Sequence, residues 1–214
     1  MKIFLIINFI FFNLCYARNS SITDEILDKI NFTESKISDL KMEFKQEITI
    51  KSINEKQIVE GRIFYKKPDK ILFIQTSPQT QTISVNKNSM LIYNPSTNNV
   101  LKGNVKDFKQ METFLPGIFN PCKNFVNLRK YYTVELSSQT NTEYELLFKP
   151  KSKKYNFKLY LLIDKTNFLP IKNKFESDIL TSITDVNRIE INTNLTDTLF
   201  DFKVPKDAEI MNLK

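Results

Sequence analysis

Apolar residues recur at two different spacings along this chain, and the two spacings predict two kinds of element. Between residues 22 and 40 they return every three or four positions, which is the period of a helix that buries one side. Ser21 and Asp24 have the spacing of a capping box, in which side chains satisfy free amide groups at a helix start. We therefore predict a first helix over about residues 22–39, kinked or broken around 31–34.

From residue 42 onward the apolar period falls to two, which is typical of a strand with one buried face. Pro, Asn, Asp and Lys residues separate the runs by short turns, as in an antiparallel meander. In the first half of the chain the predicted strands are 42–50, 58–66, 71–76, 79–85 and 90–93. In the second half they are 131–136, 143–149, 155–163, 169–176, 184–193 and a short strand near 200–202.

One predicted strand does not alternate. Ile71, Leu72, Phe73 and Ile74 are apolar at both parities, so a strand there would present apolar side chains to both faces of its sheet. Alternation assigns a face only where one parity is polar. Ile71 with Phe73, and Leu72 with Ile74, are therefore alternative inward-facing pairs.

Residues 105–131 interrupt the strand pattern with an apolar stretch broken at Pro116-Gly117 and Pro121, which predicts a short helical insert. The chain is therefore predicted to have an α+β fold with one curled antiparallel sheet of about ten strands. This unclosed half-barrel would be covered by the N-terminal helix and the insert. Because so few helices cannot fill the inner face of a large sheet, we expect an enclosed apolar cavity, with a fully packed core as the alternative.

The first seventeen residues differ from the rest of the chain. A basic second residue precedes a thirteen-residue apolar run, and small residues at −3 and −1 suit signal peptidase cleavage before Arg18. The run is shorter than the roughly 20 apolar residues that span a membrane. We therefore predict a signal peptide, 1–17, and one exported domain, 18–214. An uncleaved anchor and lipidation of Cys15 are the alternatives.

Composition excludes most catalytic chemistry. The 214 residues contain no histidine, which excludes Ser-His-Asp and Cys-His catalysis and nearly all zinc sites. The three glycines are far apart, which excludes the common glycine-rich phosphate-binding loops. We predict no enzyme, no cofactor and no metal. The 31 basic residues, against 24 acidic ones, are spread along the chain and are densest at 149–154, so a nucleic-acid partner is not expected. Cys122, the one cysteine after cleavage, is expected to be buried, with a reactive thiol as the alternative.

Several short motifs follow one another in a recognisable order behind the predicted signal peptide. They are Phe-Lys-Gln at 44–46, a glycine-to-proline segment at 61–68, an apolar strand ending in proline at 71–78, Tyr-Asn-Pro at 93–95, and Phe-Asp-Phe-Lys-Val-Pro at 200–205. No single motif is specific, but the series covers the exported chain. Because these motifs occur in the order typical of that family, the chain resembles the LolA family of periplasmic carriers, which move lipoproteins from the inner to the outer membrane.

The resemblance implies a half-barrel whose cavity takes the acyl chains of lipoproteins. It implies a monomeric periplasmic carrier, with acylated lipoproteins, an inner-membrane ABC-type lipoprotein-releasing complex and a candidate outer-membrane acceptor as partners. Residues expected to line the cavity are Phe44, Phe64, Ile71, Phe73, Ile83, Leu91 and Tyr93 on the sheet, and Phe114, Ile118 and Phe119 on the insert. A rival interpretation is a LolA-like binding module that senses lipoproteins, or accepts them terminally, through a protein partner.

Departures from the family pattern affect the lid of the expected cavity. The family's arginine before the first proline, which steadies the lid, is Lys67 here. Lysine keeps the charge but lacks the planar guanidinium fork, so the lid is expected to close more loosely or in another way. The family's Asp-Gly turn is Asn86-Lys87, and a strand arginine found in some members is Leu72.

Overall fold

The computed structural model describes residues 21–105 and 125–213, and these residues form one large sheet with few helices. The helices are α1 (Ile22–Ser35) and α2 (Phe125–Tyr131), with a 3-10 turn at Asp197–Phe200. The strands of the first half are β1 (Asp39–Ile50), β2 (Glu55–Lys66), β3 (Lys70–Ser77), β4 (Gln81–Asn86), β5 (Ser89–Asn94) and β6 (Asn99–Asn104). Those of the second half are β7 (Tyr132–Gln139), β8 (Glu143–Pro150), β9 (Phe157–Asp164), β10 (Pro170–Ser177), β11 (Leu180–Ile191) and β12 (Glu209–Asn212).

Within the described residues the sheet has twelve strands in the order β12-β6-β5-β4-β3-β2-β1-β11-β10-β9-β8-β7. Neighbouring strands are antiparallel except β12, which runs parallel to β6. The sheet is not closed, because β12 and β7 occupy its two ends. The predicted α+β fold on one unclosed, mostly antiparallel sheet is confirmed. The predicted number of about ten strands is too low, since β6 and β12 were missed.

The end of the chain was also assigned wrongly. The strand predicted near 200–202 is instead the end of the 3-10 turn and irregular chain, and the last strand, β12, follows it. Phe200 and Phe202 alternate as in a strand, but Phe200 is buried through packing on the sheet rather than through pairing in it. The spacing of two apolar residues could not separate these cases.

The N-terminal helix begins as predicted and ends earlier. Ser21 Oγ accepts a hydrogen bond from the Asp24 amide at 3.2 Å, and Asp24 Oδ2 accepts one from the Ser21 amide at 3.1 Å, so the capping box is confirmed. The helix runs without a break to Ser35. The missing apolar positions at 31–34 reduce burial but do not interrupt the backbone hydrogen bonds.

Strand register shows which side chains share a face, because directly paired residues point the same way. One such row runs from Gln46 of β1 through Thr184, Asn173 and Leu161 to Leu146 of β8. α1 buries Ile26, Leu27 and Ile30 against Leu146 and its neighbours Phe148, Leu161 and Ile163. We call this side of the sheet the α1 face.

The other side of the sheet is partly covered by the C-terminal strap, residues 192–208. Phe200 of the strap is buried against Phe64 and Leu72, and Ser84 Oγ donates to the Phe200 carbonyl at 3.1 Å. Lys66 Nζ donates to the Leu195 carbonyl at 2.7 Å. The strap therefore crosses β2, β3 and β4 on its way from β11 to β12. We call the side of the sheet that it crosses, opposite the α1 face, the strap face.

β3 is apolar at both parities because it packs against other apolar side chains on both of its faces. Ile71 and Phe73 belong to the buried cluster on the α1 face, whereas Leu72 and Ile74 pack against the strap on the strap face. Ile71 and Phe73 on one face and Leu72 on the other are thus all buried. The alternation rule could not select a parity because neither parity meets water.

Two residues of the recognised motifs have clear structural reasons. Gln46 is 5% exposed, and its Nε2 donates to Ser182 Oγ at 2.8 Å and to Thr184 Oγ1 at 3.1 Å, which joins β1 to β11. At Gly61 a Cβ atom would lie 2.5 Å from the Ile74 carbonyl oxygen and 3.1 Å from the Phe44 ring. The glycine therefore lets the Phe44 ring lie flat against β2.

Candidate functional site

The largest apolar cluster of the described residues lies on the α1 face, over β1 to β5. Phe44 and Phe73 stack with their ring centroids 5.5 Å apart, and they are 2% and 3% exposed. Ile71 and Ile83 are buried in the same cluster. We call it the α1-face cluster; its members are Ile37, Leu40, Phe44, Val59, Ile63, Tyr65, Ile71, Phe73, Ile83, Val85, Met90, Ile92 and Leu169.

Four of the predicted cavity residues are therefore brought together, and three are not. Phe64 pairs with Leu72, and Leu91 pairs with Ser84, so both side chains lie on the strap face. Tyr93 also lies there, with its ring 5.5 Å from that of Phe202. The sheet separates Phe64, Leu91 and Tyr93 from the α1-face cluster, so their placement beside Phe44 was wrong.

These three residues were placed on the wrong face because the wrong parity was chosen in β2 and in β5. A shift of one residue moves a side chain to the opposite face, and both parities of β2 and β5 carry apolar residues. The sequence analysis missed Ile63, Met90 and Ile92, which occupy the α1 face instead. Register was the signal that could have found them, since Ile63 pairs with Phe73 and Ile83 pairs with Ile92.

The predicted insert residues Phe114, Ile118 and Phe119, as well as Cys122, lie outside the described residues. The enclosed cavity that these side chains were expected to close stays a prediction. The role of Cys122 stays a prediction in the same way.

Lys67 connects the sheet to the end of α1. Its Nζ donates to the carbonyl oxygens of Glu34 at 2.9 Å and of Ser35 at 3.1 Å, and its own amide donates to the Ser38 carbonyl at 2.9 Å. The last turn of α1 contains no basic residue of its own. A cation from the β2–β3 turn thus adds hydrogen bonds to the last carbonyl groups of α1 and faces the negative end of the helix dipole.

The adjacent lysine has partners on the other side of the sheet. Lys66 donates to the Leu195 carbonyl and forms an ion pair with Asp197 at 2.7 Å, and Lys70 pairs with the same carboxylate at 3.1 Å. The hydrogen bond from Lys66 is the main reason why the pKa of Asp197 lies below its usual value. Consecutive lysines therefore hold the strap and α1 separately.

Asp39 ties the connection between α1 and β1 to the start of the strap. It is 2% exposed, and its carboxylate accepts hydrogen bonds from the Thr193 amide at 2.8 Å, the Thr193 hydroxyl at 3.1 Å and the Asn194 amide at 3.0 Å. Burial raises the pKa of this carboxyl, but the hydrogen bonds together outweigh burial and hold the pKa below its usual value.

Asn192 reinforces the same junction. Its Oδ1 accepts from the Ser38 amide at 2.7 Å, and its Nδ2 donates to the Lys36 carbonyl at 3.0 Å. The end of α1, the β2–β3 turn and the start of the strap therefore meet around residues 36–39. A movement of α1 would have to break contacts at this junction.

The described residues hold neither a candidate metal-binding group nor a candidate membrane-spanning helix. Within 21–105 and 125–213, no group of three or more His, Cys, Asp and Glu side chains is arranged to hold a metal ion. Across these same ranges, no helix combines the length and apolar character needed to cross a membrane. The buried polar groups described above make structural hydrogen bonds between elements.

The sequence is similar to one family of known proteins along most of its length. Residues 35–203 match the family model described as outer membrane lipoprotein carrier protein LolA. The outer-membrane lipoprotein carrier protein of Francisella tularensis is 29% identical over 215 residues, covering 97% of this chain and 96% of that one. The protein of the same name from Actinobacillus succinogenes is 27% identical over 177 residues, covering 81% and 79%.

Among solved structures, an uncharacterized conserved protein from Thermus thermophilus is similar in fold. Its TM-score is 0.60 at 14% sequence identity, and the match covers 88% of this chain and 98% of that one. This likeness concerns the fold alone.

Proposed function

This chain belongs to the LolA family of outer membrane lipoprotein carrier proteins, and from that premise we propose that it acts as a periplasmic carrier of lipoproteins. It would bind the acyl chains of lipoproteins released from the inner membrane and carry them to the outer membrane. We further propose that residues 1–17 are its signal peptide and that 18–214 form the carrier domain. A protein of this kind works by binding and release, without covalent chemistry.

The α1-face cluster is the observation that supports this function best. Exposing a sixteen-carbon acyl chain to water costs on the order of 12 kcal/mol, at about 0.8 kcal/mol per CH₂ group. A carrier must therefore offer a continuous apolar face, and the α1 face offers one across β1 to β5. We propose that Phe44, Ile71, Phe73 and Ile83 contact the acyl chains.

Entry of an acyl chain would require rearrangement, because these side chains are already buried. The cluster includes Ile37, which directly follows α1, so displacement of the α1 end would uncover part of it. Lys67 holds that end through the Glu34 and Ser35 carbonyl groups. We propose that these two hydrogen bonds steady α1 as a lid and break when cargo enters.

The proposed partners follow from the same premise. The carrier would receive acylated lipoproteins from an inner-membrane ABC-type releasing complex and would deliver them to an outer-membrane acceptor or to the membrane itself. It would act as a monomer. Phe114, Ile118 and Phe119 of the insert stay proposed contacts for the acyl chains.

The test is to identify what the protein carries. The chain is expressed with its own leader in a diderm host, purified from the periplasm and examined by native mass spectrometry. In a second measurement the protein is depleted, and the lipoproteins of the inner and outer membranes are compared by fractionation. We expect bound acylated protein, and lipoproteins retained in the inner membrane after depletion. Unchanged sorting together with an empty protein would contradict the carrier function. Unchanged sorting with an altered envelope-stress response would favour the sensor.

A further inference from the structure

Three turns at one end of the sheet expose large apolar and aromatic side chains that the carrier function does not use. Ile53 in the β1–β2 turn is 62% exposed, Ile179 in the β10–β11 turn is 71% exposed, and Tyr155 in the β8–β9 turn is 53% exposed. Ile53 and Ile179 lie in the turns beyond the strand ends, and Tyr155 makes an edge contact with Phe157 at the start of β9, with ring centroids 6.5 Å apart.

The three turns adjoin one another. The Lys51 amide donates to the Ile179 carbonyl at 2.9 Å, which joins the first turn to the second. Asn156 Nδ2 donates to Asp178 Oδ2 at 2.7 Å, which joins the second turn to the third. We call residues 51–54, 151–156 and 178–179 the tip surface. Tyr131, itself 59% exposed, borders it through a 2.9 Å hydrogen bond from the Lys151 amide to its carbonyl.

The tip surface is strongly basic. It contains the lysines Lys51, Lys151, Lys153 and Lys154, all exposed, and a single acidic residue, Asp178, whose carboxylate accepts from Asn156. The tip surface therefore combines projecting isoleucines, a tyrosine and a surplus of positive charge. Isoleucine enters the boundary of a bilayer, tyrosine favours its headgroup level, and lysine is attracted to anionic headgroups.

We propose that the tip surface docks on an anionic phospholipid membrane, with Ile53 and Ile179 inserted among the headgroups and the lysines contacting phosphates. An acidic protein partner would also attract the lysines. Three separate projecting turns, however, offer it neither a groove nor a flat apolar patch, whereas they can enter a fluid lipid surface independently. This docking goes beyond the carrier function and does not depend on the α1-face cluster.

The experiment is flotation of the purified protein with lipid vesicles that contain no lipoprotein. We expect binding to vesicles with about 30 mol% phosphatidylglycerol at about 50 mM salt, little binding to pure phosphatidylcholine, and loss of binding as salt screens the charges. Lys153→Gln with Lys154→Gln should weaken binding by about 25-fold, since each lysine near the surface contributes about fivefold. Ile53→Ser with Ile179→Ser should weaken binding on a similar scale.

Matched controls lie at the opposite end of the strands. Phe32 is 62% exposed on α1, beside Thr33, whose hydroxyl donates to the Asn167 carbonyl in the β9–β10 turn. Phe32→Ser, and Lys36→Gln with Lys87→Gln, should leave flotation unchanged, although each removes the contact of Lys36 Nζ with the Phe32 ring, 3.8 Å to its centroid. Equal binding to neutral and anionic vesicles, an equal loss in the controls, or no flotation with anionic vesicles at low salt would overturn the proposal. If Lys67→Leu still binds anionic vesicles, membrane docking by the tip surface does not depend on the proposed α1 lid over the acyl-chain site.

Discussion

Asp39 shows how much one buried carboxylate can organise in this molecule. It begins β1, lies beside the end of α1, and accepts hydrogen bonds from the first residues of the strap. Its pKa is lowered, so the ionised form is bound more favourably in the folded protein than in the unfolded chain. The stability that it contributes is fully present above its unfolded pKa of about 3.9 and is lost as pH falls through the lower folded pKa.

We predict that Asp39→Asn lowers the free energy of unfolding at neutral pH by about 2 kcal/mol, because an amide nitrogen would face backbone donors in a buried position. The variant should also lose less stability than the parent between pH 5 and strongly acidic pH. Urea unfolding at a series of pH values measures both effects.

The loss of unfolding free energy at acidic pH should be smaller in Asp39→Asn than in the parent, but it should not disappear. Hydrogen bonds from Thr166 lower the pKa of Asp164, and Lys66 lowers that of Asp197, and both carboxyls remain in the variant. Asp28→Asn, at an exposed position of α1, is the control and should behave like the parent. An Asp39→Asn profile parallel to that of the parent at every pH would show that Asp39 does not contribute through ionisation.

At the scale of elements, α1 and the strap cover opposite faces of the sheet, and neighbouring lysines anchor them. This division was only partly visible in the sequence. The capping box at Ser21 and the period of α1 were sufficient to locate the helix start. The strap could not be predicted, because its apolar residues Leu195, Leu199 and Phe200 are buried by packing across strands far away in the sequence.

We predict that Lys67→Leu increases hydrogen exchange in the last turn of α1, because the Glu34 and Ser35 carbonyl groups lose the hydrogen bonds from the Lys67 ammonium. Stability should fall by about 1–2 kcal/mol, the range for hydrogen bonds to a charged group. Hydrogen exchange followed by mass spectrometry resolves α1 from the strap.

The adjacent lysine supplies the matched comparison. Lys66→Leu should loosen the strap around Leu195 and leave α1 protected, since its partners lie on the strap face. Lys67→Arg should restore protection of α1 because the cation is kept. If Lys66→Leu and Lys67→Leu loosened the same segment, the separate anchoring described here would be wrong.

At the scale of the whole molecule, the sheet has its longest strands at the centre and its shortest strand at one edge. β1, β2 and β11 are twelve-residue strands in its middle, whereas β12 has four residues, all exposed, at one edge. Sheet class and strand periodicity were predictable because they depend on local alternation. Strand order and face were not, because they depend on pairings such as β1 with β11 that no local pattern reports.

We predict that backbone amides of β1, β2 and β11 exchange most slowly and those of β12 and β7 most rapidly. Central amides should exchange mainly through global unfolding, while edge strands open locally at much lower free energy. Hydrogen exchange of the intact protein measures the whole gradient. Protection of β12 equal to that of β1 would contradict it.

The central position of β1 has a consequence for how the protein is made. Ribosomes deliver β1 and β2 early, but the other neighbour of β1 is β11, which spans residues 180–191. Until that stretch has been synthesised, one side of a twelve-residue strand keeps its amide and carbonyl groups unpaired, and Gln46 lacks Ser182 and Thr184. The nascent chain therefore cannot complete its fold ahead of time. Such a delay suits the export proposed above, because a polypeptide must remain unfolded while it crosses a translocation channel.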